Sequence, residues 1–330
     1  MIRFATIGTS KITRQFLQAA KLADHFKLIG AYSRELNKAV SFGQEFGAEL
    51  FFDNLDVLAE CSMIDAIYIA SPNSQHYDQA VTMLRSGKHV ICEKSLGSNV
   101  KEVESMLRIA EANNVKLLEA MRPVFDPGQQ LIKQNLSKLG TIRRATLDFC
   151  QYSSRYDAFK RGENTNIFDP QLSAGALMDI GVYCIHSLID LFGQPDSVEA
   201  VSVVLNNKID GAGSILANYE GMISELIYSK ITNSQVPSQI QGENGAMLIP
   251  HISNPRKITI KYNDNTEEEI IAENCDNNMI YELNTFLKAI EKNEKLNYYN
   301  EISLKAIKIM DQVRNQTGIV FPSDYRTDML

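Results

Sequence analysis

Over the first 120 residues, short apolar segments alternate with amphipathic stretches. The segments are apolar on both faces, as residues 64–70 illustrate with Ile, Ala and Tyr around a single Asp. Strands buried on both faces are typical of a parallel sheet that helices cover on both sides. We predict strands at about 2–7, 26–31, 50–52, 65–70, 88–92 and 115–119, and helices near 11–23, 34–46, 54–61, 74–86 and 98–112. This pattern predicts a doubly wound α/β domain of the Rossmann type over residues 1–122.

A different pattern begins after Arg122. Pro123 restricts Arg122 to extended geometry and marks a candidate hinge. Beyond a helix near 126–137, period-two alternation predicts mostly antiparallel strands. These strands are expected at about 141–150, 197–206, 213–220, 223–230, 245–249 and 257–262. With closing helices near 278–291 and 301–316, residues 123–330 are predicted to form an α+β domain with a large, mostly antiparallel open sheet. Its C-terminal helix is expected to pack back on the first domain.

Charge and cysteine usage exclude several classes of protein. The net charge is −7 and there is no basic run, so we expect no nucleic-acid partner. No apolar run approaches the ~20 residues of a membrane span, and residues 2–7 already form a strand pattern, so we expect neither membrane nor signal peptide. Five dispersed cysteines without a Cys-x-x-Cys indicate reduced thiols in a cytoplasm. The dispersed histidines predict no metal site.

The first strand is followed by a turn that could bind a dinucleotide. Gly8, Thr9, Ser10, Lys11 and Ile12 open the first helix, and only the first glycine of a G-x-G-x-x-G fingerprint is kept. Ser10 and Thr13 are small enough to let the backbone approach a pyrophosphate at the helix N-terminus. A plain strand-to-helix turn is the alternative.

The end of the second strand favours NADP(H). NAD-specific sites place an acid there for the ribose hydroxyls, whereas this chain has Ser33 and Arg34. A hydroxyl beside a guanidinium suits a 2′-phosphate, and Lys38 lies one helical turn further on. Because Glu35 is close, NAD(H) stays open as the alternative cofactor.

Polar residues also follow the fourth and fifth strands, at the edge where open α/β sheets bind ligands. Their alternatives are a helix-face histidine with a solvent or backbone partner for His76 and a solvated surface pair for Glu93 and Lys94. Together with Arg122, the residues expected to line the cofactor cleft are Ser71, Pro72, Asn73, His76, Glu93 and Lys94.

One helical pattern in the second domain carries titratable side chains. Asp179 and Tyr183 are i, i+4 and share a face, which His186 continues. A carboxylate, a phenol and an imidazole on one face can relay a proton, although such a face is often merely solvated. Gly181 inside a helix indicates close approach to another group. The opposite face is apolar and consists of Ile180, Cys184, Leu188 and Leu191.

Together these motifs resemble the Gfo/Idh/MocA oxidoreductases, the family of glucose–fructose oxidoreductase and inositol dehydrogenase, over essentially the whole chain. The resemblance rests on the glycine turn, Ser71-Pro72-Asn73 with His76, residues 87–94, residues 119–122 and residues 175–183. The Asp-x-Gly-x-Tyr spacing of Asp179, Gly181 and Tyr183 is most similar to the branch that contains dimeric dihydrodiol dehydrogenase and glucose–fructose oxidoreductase.

The resemblance implies catalytic roles for three residues. Lys94 would bind the reacting oxygen, Tyr183 would be the general acid/base, and Asp179 would orient a sugar or polyol substrate. The chain departs from the family at Ser10, at residues 173–175, and at Ser95, which replaces the proline after Lys94. If relatives use a cis bond there, this chain must hold a trans bond or a cis non-proline bond.

Two other functions remain open at this stage. A regulator of the same fold could sense a dinucleotide or sugar without turnover, although it would not need Lys94, Asp179 and Tyr183 together. An NAD-linked polyol dehydrogenase is the other. We also expect a homodimer, or a dimer of dimers, through the apolar sheet face that carries Val201, Val203 and Leu205.

Overall fold

The computed structural model describes residues 1–273 and 275–327, which form two compact units. The first unit comprises residues 1–120, 275–304, 326 and 327, and the second comprises residues 121–273 and 305–325. The sequence pattern predicts residues 275–304 to belong to the second domain. In the structure they extend the first unit, where Asn277 donates a hydrogen bond to the carbonyl oxygen of Gln15.

The first unit contains a six-stranded sheet with order β3-β2-β1-β4-β5-β6 and only parallel pairs. Its strands are β1 (Ile2–Ile7), β2 (Phe26–Tyr32), β3 (Leu50–Phe52), β4 (Ala66–Ile69), β5 (His89–Glu93) and β6 (Leu117–Ala120). The helices between them are α1 (Lys11–Ala20), α2 (Leu36–Glu45), α3 (Leu55–Glu60), α4 (Asn73–Arg85) and α5 (Val100–Ala112). The doubly wound prediction is confirmed, because these strands are buried on both faces, as every residue of β4 shows.

Strand order fixes where a ligand would bind to this unit. The chain runs outward from β1 through β2 to β3, then returns to place β4 on the other side of β1. Such a reversal leaves a crevice at the carboxyl ends of the two central strands. The residues that follow β1, β2, β4 and β5 all lie at this edge.

The second unit is built on an eight-stranded sheet of order β14-β13-β12-β11-β7-β10-β9-β8, antiparallel except for the pair β7 and β10. Its strands are β7 (Ile142–Cys150), β8 (Ser197–Val204), β9 (Asp210–Tyr219), β10 (Met222–Ser229), β11 (Ser238–Gly242), β12 (Gly245–Ile249), β13 (Lys257–Tyr262) and β14 (Glu267–Ile271). Its helices are α6 (Arg122–Phe125), α7 (Pro127–Asn135), α8 (Tyr156–Lys160) and α9 (Val182–Phe192). Two further helices, α10 (Met279–Glu291) and α11 (Asn297–Thr317), close the chain.

Two strands of this sheet, β11 and β14, are not predicted by the sequence pattern. In β11 the only large apolar residue is Ile240, which is fully buried, while Gln239 and Gln241 alternate with it. Strand β14 begins with three glutamates. Each pairs with a well-predicted neighbour, β12 and β13 respectively, and this pairing supplies the order that their own patterns do not indicate.

One apolar stretch is longer than the sequence analysis estimated. Residues Pro170–Phe192 have the length and composition of a membrane-crossing helix, with mean hydropathy 1.5. However, 89% of the most apolar 18 residues of that stretch is buried within the protein. Helix α9 is therefore a core helix, apolar because protein surrounds it on nearly every side.

Candidate functional site

Tight backbone packing shapes the turn after β1. Gly8 has a φ of +110°, and a Cβ atom there would lie 2.7 Å from the carbonyl oxygen of Ala70. Only glycine meets both conditions. Ser10 precedes α1 in extended geometry, and the N-terminus of the helix has no side-chain cap and no acid in its first turn. A turn of this kind leaves backbone N–H groups and the positive end of the helix dipole for a pyrophosphate, so it fits a dinucleotide.

The residues after β2 differ in their availability to a cofactor. Arg34 is exposed and forms no ion pair with any residue in the described parts of the chain. Lys38, by contrast, pairs with Glu35 at 2.6 Å, and both side chains are exposed. Of the two cations that follow β2, Lys38 is therefore already paired with a carboxylate and Arg34 is not.

Two of the predicted cofactor residues make inward contacts. The hydroxyl of Tyr68 on β4 donates to Oε1 of Glu93 at 2.7 Å, and both side chains are buried. Ser71 Oγ donates to Oε1 of Gln79 on α4 at 2.6 Å. These bonds hold the ends of β4 and β5 in place around Lys94.

Lys94 directly follows β5 and begins a loop whose backbone is fixed by buried carboxylates. The N–H of Leu96 donates to Oε1 of Glu119 at 2.9 Å, and the N–H of Ser98 donates to Oε2 of Glu102 at 2.7 Å. The Lys94–Ser95 peptide bond is cis. Of the two geometries considered for a chain with serine here, the structure has the cis non-proline bond.

His76 is a fully buried side chain of α4 and not a solvent-facing histidine. Its Nδ1 lies 2.8 Å from the carbonyl oxygen of Ser95, and its Nε2 lies 2.8 Å from that of Ser71. Burial lowers the pKa of the imidazole, because the charged form loses its hydration. His76 thus links the loop after β4 to the loop that carries Lys94.

The helical segment of the second unit begins around a buried carboxylate. The N–H of Leu177 donates to Oδ2 of Asp210 at 2.6 Å. A Cβ atom on Gly175, whose φ is +113°, would lie 2.1 Å from Oδ1 of the same aspartate. Burial raises the pKa of Asp210 to about 6. The glycine therefore allows the chain to wrap closely around the carboxylate that caps the segment.

Asp179 lies in a π-helical turn, Leu177–Gly181, that precedes α9. Single π turns of this kind are frequent at functional sites. Asp179 forms an ion pair with Lys230, which directly follows β10. The close approach that Gly181 indicated is confirmed, because a Cβ atom there would lie 3.0 Å from the ring of Tyr228.

Tyr183 is 7% exposed and packs edge-to-face against Phe149, with ring centroids 5.4 Å apart. Nη2 of Arg122 donates to its hydroxyl oxygen at 3.3 Å. His186 does not continue this polar face, since it is buried and its Nδ1 lies 2.9 Å from the carbonyl oxygen of Val182. The structure therefore groups Arg122, Asp179, Tyr183 and Lys230 in the second unit.

Three charged residues of these two clusters are not indicated as site residues by any motif in the sequence: Glu102, Asp210 and Lys230. Glu102 had a local signal, because Asn99 and Glu102 have the spacing of a capping box and Asn99 Oδ1 accepts the N–H of Glu102. Asp210 and Lys230 had none, because their partners are distant in sequence, whereas Glu119 stands in residues 119–122, on which the family resemblance rests. In the described residues no three or more His, Cys, Asp or Glu side chains are grouped to hold a metal ion.

Comparison with known families agrees with the two-unit fold. Residues 2–121 match the profile of the GFO/IDH/MocA oxidoreductase family, described as an NAD-binding Rossmann fold. Residues 129–248 match the profile of the GFO/IDH/MocA C-terminal domain.

Individual relatives extend the similarity over nearly the whole chain. The scyllo-inositol 2-dehydrogenase (NADP(+)) IolU of Bacillus subtilis is 44% identical over 98% of this chain and 99% of its own length. The trans-1,2-dihydrobenzene-1,2-diol dehydrogenase of Mus musculus is 25% identical over 98% of this chain and 99% of its own. Among solved structures, the 3-ketoreductase KijD10 of Actinomadura kijaniata, in complex with NADP and TDP-benzene, superposes with a TM-score of 0.84. It is 23% identical and covers 96% of this chain and 98% of its own, which shows a shared fold.

Proposed function

The chain belongs to the GFO/IDH/MocA oxidoreductase family, and we propose that it transfers a hydride between NADP(H) and a CH–OH carbon of a sugar or polyol. The 44% identity to an NADP-dependent inositol dehydrogenase supports both the cofactor and the substrate class. The single observation that carries the proposal is the buried hydroxyl of Tyr183, which accepts a hydrogen bond from the guanidinium of Arg122. Tyr183 lies on the same helical segment as Asp179.

The residues at the carboxyl edge of the first sheet would hold the cofactor. The turn after Gly8 and the N-terminus of α1 would bind the pyrophosphate through backbone N–H groups. Ser33 and Arg34 would bind the 2′-phosphate, and the loops at Ser71 and Lys94 would line the nicotinamide end. When bound, NADP(H) supplies the carbon that accepts or donates the hydride.

Three side chains would handle the substrate. The ammonium of Lys94 would stabilise negative charge on the reacting oxygen. Because the oxygen of Tyr183 accepts a hydrogen bond from Arg122, its own hydrogen is directed to another acceptor, as a general acid requires. Asp179, an acceptor when ionised, would bind and orient a substrate hydroxyl.

A substrate panel tests the proposal. We expect purified protein with NADP+ to oxidise a cyclic polyol such as scyllo-inositol, and with NADPH to reduce the corresponding ketone. The readout is the change in nicotinamide absorbance. If NADPH binds tightly but no aldose, ketose, polyol or dicarbonyl is turned over, the chain is instead a sensor of the same fold. Turnover with NAD(H) in preference to NADP(H) would contradict the cofactor assignment.

We also propose that the protein is a cytoplasmic homodimer, or a dimer of dimers, formed through the open face of the second sheet. Val201 and Val203 on β8 are 71% and 54% exposed, and Leu216 and Ile223 are exposed on the same face. Leu205 lies beyond the end of β8 and is not part of this face. Sedimentation at micromolar concentration tests the assembly: Val201→Glu should shift a dimer toward monomer, and a monomeric wild type would contradict it. Five free thiols are consistent with a reducing compartment.

A further inference from the structure

The backbone of Lys230 is fixed on both sides where it leaves the sheet. Its N–H donates to the carbonyl oxygen of Gly211 at 2.8 Å, and its own carbonyl oxygen accepts the N–H of Ser153 at 2.8 Å. Immediately before it, Ser229 Oγ accepts the N–H groups of Ile231 and Thr232 and ends the strand in a tight turn. The position of the Lys230 side chain is therefore set by the fold and not by loop mobility.

The ion pair that Lys230 forms is unequal in exposure. Its side chain is 9% exposed, whereas that of its partner Asp179 is 32% exposed. The ammonium thus lies behind the carboxylate, and the carboxylate is the member of the pair that a ligand can reach. An adjacent ammonium favours the ionised form of a carboxylate, which accepts hydrogen bonds but donates none.

From this arrangement we propose that Lys230 is a positioning residue that holds Asp179 as an ionised acceptor for a hydroxyl next to the reacting carbon. This inference rests on the proposed function and sharpens its substrate class to compounds with vicinal hydroxyls. Asp179 and Tyr183 lie one turn apart on one helical segment, and under the proposed function Tyr183 would contact the oxygen that exchanges its proton. A hydroxyl bound by Asp179 then belongs to a neighbouring carbon of the same substrate.

Replacing Lys230 tests its positioning role without leaving a fully buried carboxylate unpaired. In Lys230→Met the buried ammonium becomes an apolar side chain of similar length, and Asp179 is exposed enough for water to solvate it. Lys230→Arg is the matched control, because it keeps a cation that can pair with the carboxylate. Neither variant alters Tyr183, Arg122 or Lys94.

The experiment compares scyllo-inositol with cyclohexanol, which lacks neighbouring hydroxyls, under saturating NADP+. We expect Lys230→Met to raise KM for scyllo-inositol about tenfold or more, the size of one charge-assisted hydrogen bond, with kcat changed much less. KM for cyclohexanol should be unchanged, and Lys230→Arg should recover most of the affinity for scyllo-inositol. An unchanged KM, or an equal rise for both alcohols, would overturn the proposal.

Calorimetric titration of scyllo-inositol into the NADP+ complex separates this proposal from the proposed function. Binding without hydride transfer would refute the function, and a tenfold weaker Kd in Lys230→Met would still support the role of Lys230. Turnover of simple alcohols with no preference for scyllo-inositol would leave the function standing and overturn the role of Lys230. Failure of the wild type to bind any vicinal polyol would also overturn it.

Discussion

The loop that carries Lys94 in the first unit and the helical segment that carries Asp179 and Tyr183 in the second are stabilised in the same way. In each, a buried carboxylate accepts a backbone N–H: Glu102 accepts that of Ser98 at 2.7 Å, and Asp210 accepts that of Leu177 at 2.6 Å. Burial raises the pKa of Glu102 to about 7 and that of Asp210 to about 6.

The two segments differ in how their side chains meet charge. Glu102 and Asp210 are fully buried and bind backbone, and the nearest cation to Glu102 is Nη1 of Arg326 at 4.0 Å. Asp179 is partly exposed and paired directly with Lys230. The partner thus distinguishes the roles: the carboxylates that accept backbone N–H groups shape a segment, whereas the partly exposed, ion-paired carboxylate is the one that we propose as a substrate ligand.

The largest effects should come from the two side chains that we propose to act on the reacting oxygen. Lys94→Met and Tyr183→Phe should each lower kcat about 10³-fold, because each removes a group that stabilises charge or moves a proton in the transition state. Steady-state kinetics measure this loss. Tyr183→Phe should leave NADPH affinity unchanged; weaker cofactor binding in that variant would place Tyr183 in the cofactor site instead.

The close packing of Gly175 against Asp210 predicts the next largest effect. Gly175→Ala should lower the free energy of unfolding by about 3 kcal/mol, because its Cβ would lie 2.1 Å from the Asp210 carboxylate in addition to the strained φ. Gly162→Ala is the matched control: its φ is +83° and its Cβ would meet nothing within 4 Å, so only about 1 kcal/mol is expected. Equal losses of unfolding free energy in the two variants, measured by urea denaturation, would show that the packing of Gly175 against Asp210 contributes nothing.

Cofactor preference should depend on Arg34 more than on Lys38. Arg34→Ala should weaken NADPH binding about tenfold and leave NADH binding unchanged, since only NADPH carries the 2′-phosphate. Lys38→Ala should have a smaller effect, because Lys38 already pairs with Glu35 on the surface. Fluorescence titration with both nucleotides checks this, and equal losses for NADPH and NADH after Arg34→Ala would argue against 2′-phosphate recognition.

The smallest effect concerns pH and separates the two capping carboxylates. A carboxyl whose pKa is higher in the folded than in the unfolded state loses stability as the pH rises through that interval. For Asp210 the loss is nearly complete by pH 7, whereas Glu102 still loses about 1 kcal/mol between pH 6 and 8.

In Glu102→Gln, which keeps an acceptor for Ser98, the dependence between pH 6 and 8 should flatten. Thermal unfolding across that range measures it. An unchanged slope in the variant would mean that Glu102 does not titrate there.

Features fixed by local pattern could be predicted from the sequence. The six parallel strands follow from apolar runs such as β4, and Lys94 and Gly8 were identifiable because each follows such a strand. Strand β11 was not, because only Ile240 in it is a large apolar residue. Asp210 and Lys230 could not be predicted either, because their partners are distant in sequence. Asp210, for example, is 33 residues from Leu177, and only the folded sheet brings the two together.

The most direct test of the proposed function is transfer of deuterium from polyols and sugars labelled at the reacting carbon to NADP+, followed by mass spectrometry of the nicotinamide. The wild type is predicted to move one deuterium to the cofactor, and Tyr183→Phe to move almost none over the same time. If the wild type binds NADP+ and the polyols while the label stays on every one of them, the assignment as a hydride-transferring enzyme is wrong.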